Sequence, residues 1–312
     1  MKGLKFISTG RAIPEKVVTN DDMSRIVDTS DEWIRTRTGI AQRHFCTREN
    51  AASLAVSAAR QALERAGISP EEIGVCAAAT VTPQYASPAN ACLIQAALGL
   101  AEDTPCFDLS AGCTGFLYGL EVMRGMLTIS PKRYALLVGG EELSRVMDMT
   151  DRSTCVLFGD GAGAAVLALE ENALWAATLG TRGNPDILSV DAVGKGPSYI
   201  HMDGQGVYRF AVEVIPHCAK ELLAQTGLTL EQVDWIVPHQ ANRRIVETAA
   251  KRLHLGMDKF FLNIDRYGNT SAASIPIALD EMVQEGLLRK GQKVMAIAFG
   301  AGLTWGGALF EW

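Results

Sequence analysis

No Cys-x-x-Cys pair occurs in the chain, although it holds seven cysteines, at Cys46, Cys76, Cys92, Cys106, Cys113, Cys155 and Cys218. An odd and scattered set excludes a disulfide framework or a zinc site built on paired thiolates. It points instead to reduced thiols in a cytoplasmic protein. No apolar run approaches the ~20 residues that cross a bilayer, and Met1-Lys2-Gly3-Leu4-Lys5 leads into a short strand rather than a signal peptide. An excess of positive charge is also missing: 29 Lys and Arg against 35 Asp and Glu leave a net charge of −6, which argues against nucleic acid as a partner. The glycine-rich run Phe158-Gly159-Asp160-Gly161-Ala162-Gly163 has no Gly-Lys-Ser/Thr ending, so it is not a phosphate loop. A tight strand–turn–strand connection is expected there. What remains is a globular chain of 312 residues, 48% hydrophobic, long enough for two ordinary domains or one large one.

The elements repeat. In the first half, residues 4–10 read as a strand and Ala51 to Ala66 as an alanine-rich helix stopped by Gly67. Thr29 and Glu32 are spaced as a capping box for a helix carrying Trp33. Ser69-Pro70-Glu71-Glu72 caps a short helix before the buried strand Ile73 to Val81, a helix runs from Pro88 to Leu98, and Arg133 to Val138 is a near-continuous apolar strand of a sheet covered on both faces. After residue 170 the order returns. Thr229-Leu230-Glu231-Gln232 caps a short helix before the strand Val233 to Val237. Lys259 to Ile264 reads as a strand, Ala272 to Gln284 as a helix, and Gln292 to Phe299 as the last apolar strand. This is a duplication by element order rather than by sequence identity, with one α/β half over residues 1–170 and a second over 171–312.

Cys113 stands at a strand-to-helix junction between Gly112 and Gly115. Backbone N–H groups at a helix N-terminus favour negative charge, so this placement predicts a lowered thiol pKa and a nucleophile. The flanking glycines let a substrate approach closely; a free cysteine is otherwise an ordinary small core residue. The duplication puts His239, after one buried strand, and Asn269, before a helix, at the same end of the sheets as Cys113. In open α/β sheets ligands bind there. A thiol with an imidazole and a carboxamide points to acyl transfer.

With these residues in place, the chain resembles the β-ketoacyl-acyl-carrier-protein synthase III family. The resemblance runs through Asp28-Thr29-Ser30-Asp31-Glu32-Trp33-Ile34 with Arg37-Thr38-Gly39-Ile40, the Gly112-Cys113 elbow, and Thr150-Asp151-Arg152. It continues through the Phe158 to Gly163 run, Val237 to Asn242, Gly268 to Ser274 and Gly302 to Gly306, and so covers essentially the whole chain. It implies an α/β thiolase fold, two duplicated halves in an αβαβα layering, and a catalytic triad of Cys113, His239 and Asn269. The implied reaction starts fatty-acid synthesis. Cys113 takes the acyl group from an acyl-CoA primer, malonyl-acyl carrier protein loses CO2, and the carbanion attacks the acyl-cysteine. His239 and Asn269 would donate hydrogen bonds to the enolate oxygen, and the backbone N–H groups of Cys113 and Ala301 would hold the later oxyanion. Gly300-Ala301-Gly302 departs from the family's usual three glycines. Phe299 resembles the aromatic that walls the malonyl carboxylate in apolar surroundings.

The resemblance also assigns surfaces. Trp33 and Arg152 match a pair that sandwiches the CoA adenine, Thr29 an adenine-edge contact, and Arg37 a phosphate contact. Arg244, Lys251 and Arg252, with Arg209, form a basic patch suited to acyl carrier protein, although such charges are usually just a solvated helix face. Ser87 stands where some relatives carry a bulky aromatic that plugs the acyl tunnel across a homodimer, so a longer or branched primer is expected to fit. No metal or cofactor is implied beyond the CoA thioester substrate, nor any membrane partner. Three other readings remain: a same-fold acyltransferase or secondary-pathway condensing enzyme, a non-catalytic carrier-binding subunit, and a thioester hydrolase.

Overall fold

The structure, a computed structural model, describes residues 2–191 and 197–312. Two sheets carry the chain. The first has the order Lys2–Ala12, Gly161–Glu171, Tyr134–Glu141, Ile73–Ala79, Cys106–Leu109. The second has the order Trp235–Pro238, Lys293–Gly300, Thr304–Glu311, Trp175–Thr181. Taken from opposite ends, the two orders match strand for strand. The parallel pair Ile73–Ala79 and Tyr134–Glu141 corresponds to the parallel pair Trp235–Pro238 and Lys293–Gly300.

One counterpart is incomplete. Cys106–Leu109 is a strand, but residues 259–264 are not. Met257–Lys259 is a 3-10 turn, and the strand is reduced to a single bridge between Phe260 and Ile236. Only Phe261 N donates onward, to Ile236 O at 3.0 Å, because Asn263 turns away to begin the helical turn Ile264–Tyr267. Both remnants nevertheless deliver the chain to the same place. Each half then runs through a 3-10 turn, Gly112–Thr114 or Ser271–Ala273, directly into a helix, Gly115–Ile129 or Ser274–Gln284.

Those two helices lie between the sheets. Phe116, Leu120 and Met123 of one and Ile275, Leu279 and Met282 of the other share a buried core with Leu137, Leu167, Ala296 and Phe310. On the outer face of the first sheet, helices Ala51–Ala66 and Asn90–Leu98 cover Ile73, Leu136 and Val166. The apolar spacing Ala51, Ala55, Ala58, Ala59, Ala62 gives the first of these one buried stripe, and Asn50 and Gly67 cap its ends. On the outer face of the second sheet, Gly204–Thr226 and Arg243–Arg252 cover Ile236, Met295 and Leu309. The layering is therefore helix, sheet, helix, sheet, helix.

Two local expectations change. Ser30, not Thr29, caps the helix Asp31–Thr38, its side chain accepting from Trp33 N at 3.1 Å. The glycine-rich run is no strand–turn–strand. A helical turn, Arg152–Cys155, leads into it and one long strand, Gly161–Glu171, leaves it. Its backbone is spent on another segment: Asn269 N donates to Leu157 O and Gly159 N to Asn269 O, each at 2.9 Å.

Candidate active site

Cys113 lies in the 3-10 turn that opens the inner helix of the first half, 9% exposed. Gly112 before it has φ 54°, a left-handed conformation that glycine adopts at no steric cost. The strand end Gly300 presses on it so closely that a Cβ there would stand 2.7 Å from Cys113 N. The expectation of a lowered thiol pKa fails. Burial, with a smaller contribution from the Glu141 carboxylate, pushes the Cys113 thiol up to about 12, against a hydrogen bond from Ser271 that favours the thiolate. A helix N-terminus counts for less here than the loss of water. Cys113 therefore rests as a thiol, and any attack by its sulfur requires the loss of that proton.

His239 follows the strand Trp235–Pro238, 1% exposed, with Phe299 edge-on at 5.3 Å between ring centres. Burial alone pulls its pKa down to about 3, so the ring is neutral. Its tautomer follows from its partners. Ser274 Oγ donates to Ser271 O at 2.9 Å, which uses its only proton. At 2.8 Å from His239 Nδ1 it must accept, so Nδ1 carries the hydrogen and Nε2 the lone pair. Asn269 is held by the backbone clamp to Leu157 and Gly159. Its Oδ1 accepts from Ser271 N at 2.9 Å, which turns the Nδ2 donors the other way.

Cys113, His239, Asn269 and Phe299 line one cavity of about 500 Å³, with Trp33, Arg37 and Arg244 also on its wall. The sequence-predicted triad is brought together. Ala301 is not part of this cavity; Gly300 takes its place there. Ala301 lies against Gly112 and faces a second cavity of about 930 Å³, which Ser87 and Tyr85 also line.

Trp33 and Arg152 do meet, but with no gap for a base. The Arg152 guanidinium lies over the Trp33 ring at 5.1 Å, and its Nη1 donates to Asp28 O at 2.8 Å. Thr29 Oγ1 is buried without a partner, freed because Ser30 does the capping. Arg209 and Arg244 line a shallow pocket next to Arg37. Arg252 is only partly available, since its Nη1 donates to Val212 O at 2.7 Å; Lys251 is exposed. Three residues escaped sequence reasoning: Ser274, which orients His239, and the pair Ser271 and Glu141. The last had a signal, a carboxylate closing a glycine-ended strand that is otherwise wholly apolar.

Two family models match the chain: 3-oxoacyl-[acyl-carrier-protein] synthase III over residues 107–183, and the C-terminal part of the same enzyme over 223–312. A β-ketoacyl-[acyl-carrier-protein] synthase III of Clostridium acetobutylicum is 46% identical over 324 aligned residues, covering 100% of this chain and 99% of that one. The chain belongs to the β-ketoacyl-[acyl-carrier-protein] synthase III family. Among solved structures, the 3-oxoacyl-[acyl-carrier-protein] synthase III of Aquifex aeolicus superposes with a TM-score of 0.94 at 43% identity, covering 99% and 100% of the two chains. The priming β-ketosynthase of the R1128 polyketide pathway superposes at 0.92 with 34% identity, covering 99% and 96%. As a member of the synthase III family the chain is a condensing acyltransferase of the thiolase fold.

Proposed function

We propose that this synthase III begins fatty-acid synthesis by decarboxylative condensation of an acyl-CoA primer with malonyl-acyl carrier protein, through an acyl-Cys113 intermediate. The observation that carries the reading is Asn269: its Oδ1 is tied to Ser271 N, so a pair of N–H donors faces the cavity that Cys113 and His239 share. An enolate needs such donors, and a dry site makes each worth more. Simple transfer to an alcohol or amine needs none of them.

In the first half-reaction the Cys113 sulfur attacks the thioester and CoA departs. In the second, loss of CO2 from the malonyl thioester leaves an enolate held by Asn269 Nδ2, and its carbon attacks the acyl-cysteine. His239 presents an acceptor at Nε2 in the resting state. It becomes a second donor when Ser274 turns its hydroxyl from Ser271 O to His239 Nδ1, a single bond rotation that lets the ring hold its proton on Nε2. Phe299 supplies an apolar wall, and CO2 loss is favoured where the departing carboxylate has no water. The backbone N–H groups of Cys113 and Ala301 serve the oxyanion. Release of labelled CO2 from malonyl carrier protein, dependent on a primer, tests the reading; transfer without CO2 would defeat it.

The acyl chain of the primer lies in the second cavity past Ser87, and its volume of about 930 Å³ supports a branched or longer primer. Turnover is expected with isobutyryl- and longer acyl-CoA, and strict preference for acetyl-CoA would count against this. CoA binds with its adenine driven between Trp33 and Arg152, the base edge meeting Thr29 and the phosphates Arg37. Trp33→Ala is then expected to raise KM for acyl-CoA about tenfold with kcat little changed, the stacking energy being uniform binding. Acyl carrier protein docks on Arg209, Arg244 and Lys251. Arg209→Glu is expected to raise KM for malonyl carrier protein several-fold, on the order of one charge pair, and to leave KM for acyl-CoA in place. A homodimer is supported by the strand Cys106–Leu109, which ends its sheet with a partner on one side only among the described residues.

A further inference from the structure

Arg43, on the strand Gln42–Phe45, is 0% exposed. Its guanidinium donates to neutral oxygens: Nη1 to Asn20 Oδ1 at 2.8 Å and Val18 O at 3.3 Å, Nη2 to Val156 O at 2.8 Å. Its Nε has no partner among the described residues. Asn20, itself 1% exposed, donates in turn to Asp31 Oδ1 and Ile40 O, each at 2.8 Å. Burial pulls the Arg43 pKa down to about 10, which still leaves the group charged at neutral pH. A buried cation with no anion bonded to it is costly, and an apolar side chain of similar length would fill the space at less expense. Space-filling alone does not account for the guanidinium.

Arg43 stands directly behind the backbone clamp on Asn269. Val156, whose carbonyl it holds, immediately precedes Leu157, which accepts from Asn269 N. Its stem fits against two glycines. A Cβ on Gly159, the other jaw of the clamp, would stand 3.1 Å from Arg43 Cβ, and one on Gly268, the neighbour of Asn269, would stand 3.3 Å from it. The same strand grips the far end of the run. His44 O accepts from Asp160 N at 2.9 Å, and Cys46 N donates to Asp160 Oδ2 at 2.7 Å. Arg43 itself lines neither cavity.

We propose that Arg43 is a positioning residue for Asn269: its fork ties the run Val156 to Gly159 to Asn20, its stem seats Gly159 and Gly268, and together they set where the Asn269 Nδ2 donors point. This rests on Asn269 being the donor to the enolate. Arg43 then serves condensation and not acylation, because Cys113 stands on the 3-10 turn Gly112–Thr114 of the other strand-to-helix junction. Lysine cannot replace it. One ammonium keeps the charge but lacks the planar fork that spans Asn20 and Val156.

In Arg43→Lys, primer-dependent release of labelled CO2 from malonyl carrier protein is expected to fall about tenfold or more, the scale of a donor moved by a fraction of an ångström. Single-turnover acylation by acyl-CoA, read as intact mass, is expected to stay within about threefold. A general loss of structure lowers both. Asn269→Ala separates the two roles further. With no amide left to aim, adding Arg43→Lys is expected to cost CO2 release less than about twofold more, measured with enzyme near the substrate concentration. The same factor in both backgrounds overturns the proposal, as does a parallel fall of acylation and condensation, or condensation unchanged in Arg43→Lys. Asn20→Ala frees only the Nη1 end and carries the same comparison if Arg43→Lys does not fold; its condensation is expected to fall about threefold with acylation held. Native enzyme that transfers acyl groups without releasing CO2 would instead overturn the decarboxylative reading, and the role of Arg43 with it.

Discussion

Cys113→Ala is expected to lose acyl-enzyme formation altogether and condensation by on the order of 10⁴-fold or more, the usual consequence of deleting a covalent nucleophile. The fold should survive, because a Cβ remains in the same small space against Gly300. Decarboxylation is a separate matter. The donors proposed for the enolate, Asn269 Nδ2 and, once its proton has moved there, His239 Nε2, are both in the second half, and neither depends on the sulfur. The variant is therefore expected to keep a slow release of CO2 from malonyl carrier protein, uncoupled from any primer. Intact mass reads the first effect and labelled CO2 the second. An acyl adduct that persists in Cys113→Ala would place the nucleophile on another thiol, of which Cys46, Cys92 and Cys106 are the ones not fully buried. Cys113→Ser would not rescue the enzyme, since burial penalises an alkoxide even more than a thiolate.

Much of this arrangement could be read from the residues alone, because duplication constrains it twice. The capped turns at Ser69 and Thr229 each precede a buried strand, and both capping boxes form, with Glu72 and Gln232 closing them. Strand ends in corresponding positions then had to converge, so Cys113, His239 and Asn269 could be placed together before any coordinates. Residues 259–264 misled because Lys-Phe-Phe-Leu has strand chemistry, while the helical turn at Ile264 that leads to Asn269 claims the backbone first. Thr29 and Ser30 are equally good caps in sequence; the structure uses Ser30, and the consequence is an unpartnered Thr29 hydroxyl near the Trp33 helix.

Electrostatics were the least legible layer. A helix start before Gly115 argues for a thiolate, but the same junction is sealed by Gly300 and faces the Glu141 carboxylate, neither of which a local reading contains. Burial enters only when the two halves close on each other. The sign of the thiol's pKa shift is thus a property of the tertiary structure, as is the neutrality of His239. The glycine-rich run was misread for a related reason. Its backbone groups serve Asn269, in the other half of the chain, and their purpose is visible only where Leu157 and Gly159 grip that residue on both sides.

Asn269→Asp is expected to separate the two half-reactions. The substitution keeps shape and volume, and one carboxylate oxygen can still accept from Ser271 N, so the loop has no reason to move. The other atom changes from an N–H donor to an oxygen acceptor. An enolate that had been stabilised would then face an anion, and condensation is expected to fall about 10³-fold, the scale of losing an oxyanion donor with repulsion added. Acylation by acyl-CoA passes through Cys113 and is expected to change far less, so acyl-enzyme should accumulate and be seen by mass. The position is 5% exposed, and burial of that degree favours the neutral form of the introduced carboxyl. Once protonated, that carboxyl presents an O–H where the native amide presents an N–H. The residual condensing activity of the variant is therefore expected to climb as the pH is lowered from about 8 toward about 6, in step with the protonated fraction. Equal losses in both half-reactions, with no gain on acidification, would show Asn269 to be a clamp for its loop rather than a donor to the enolate.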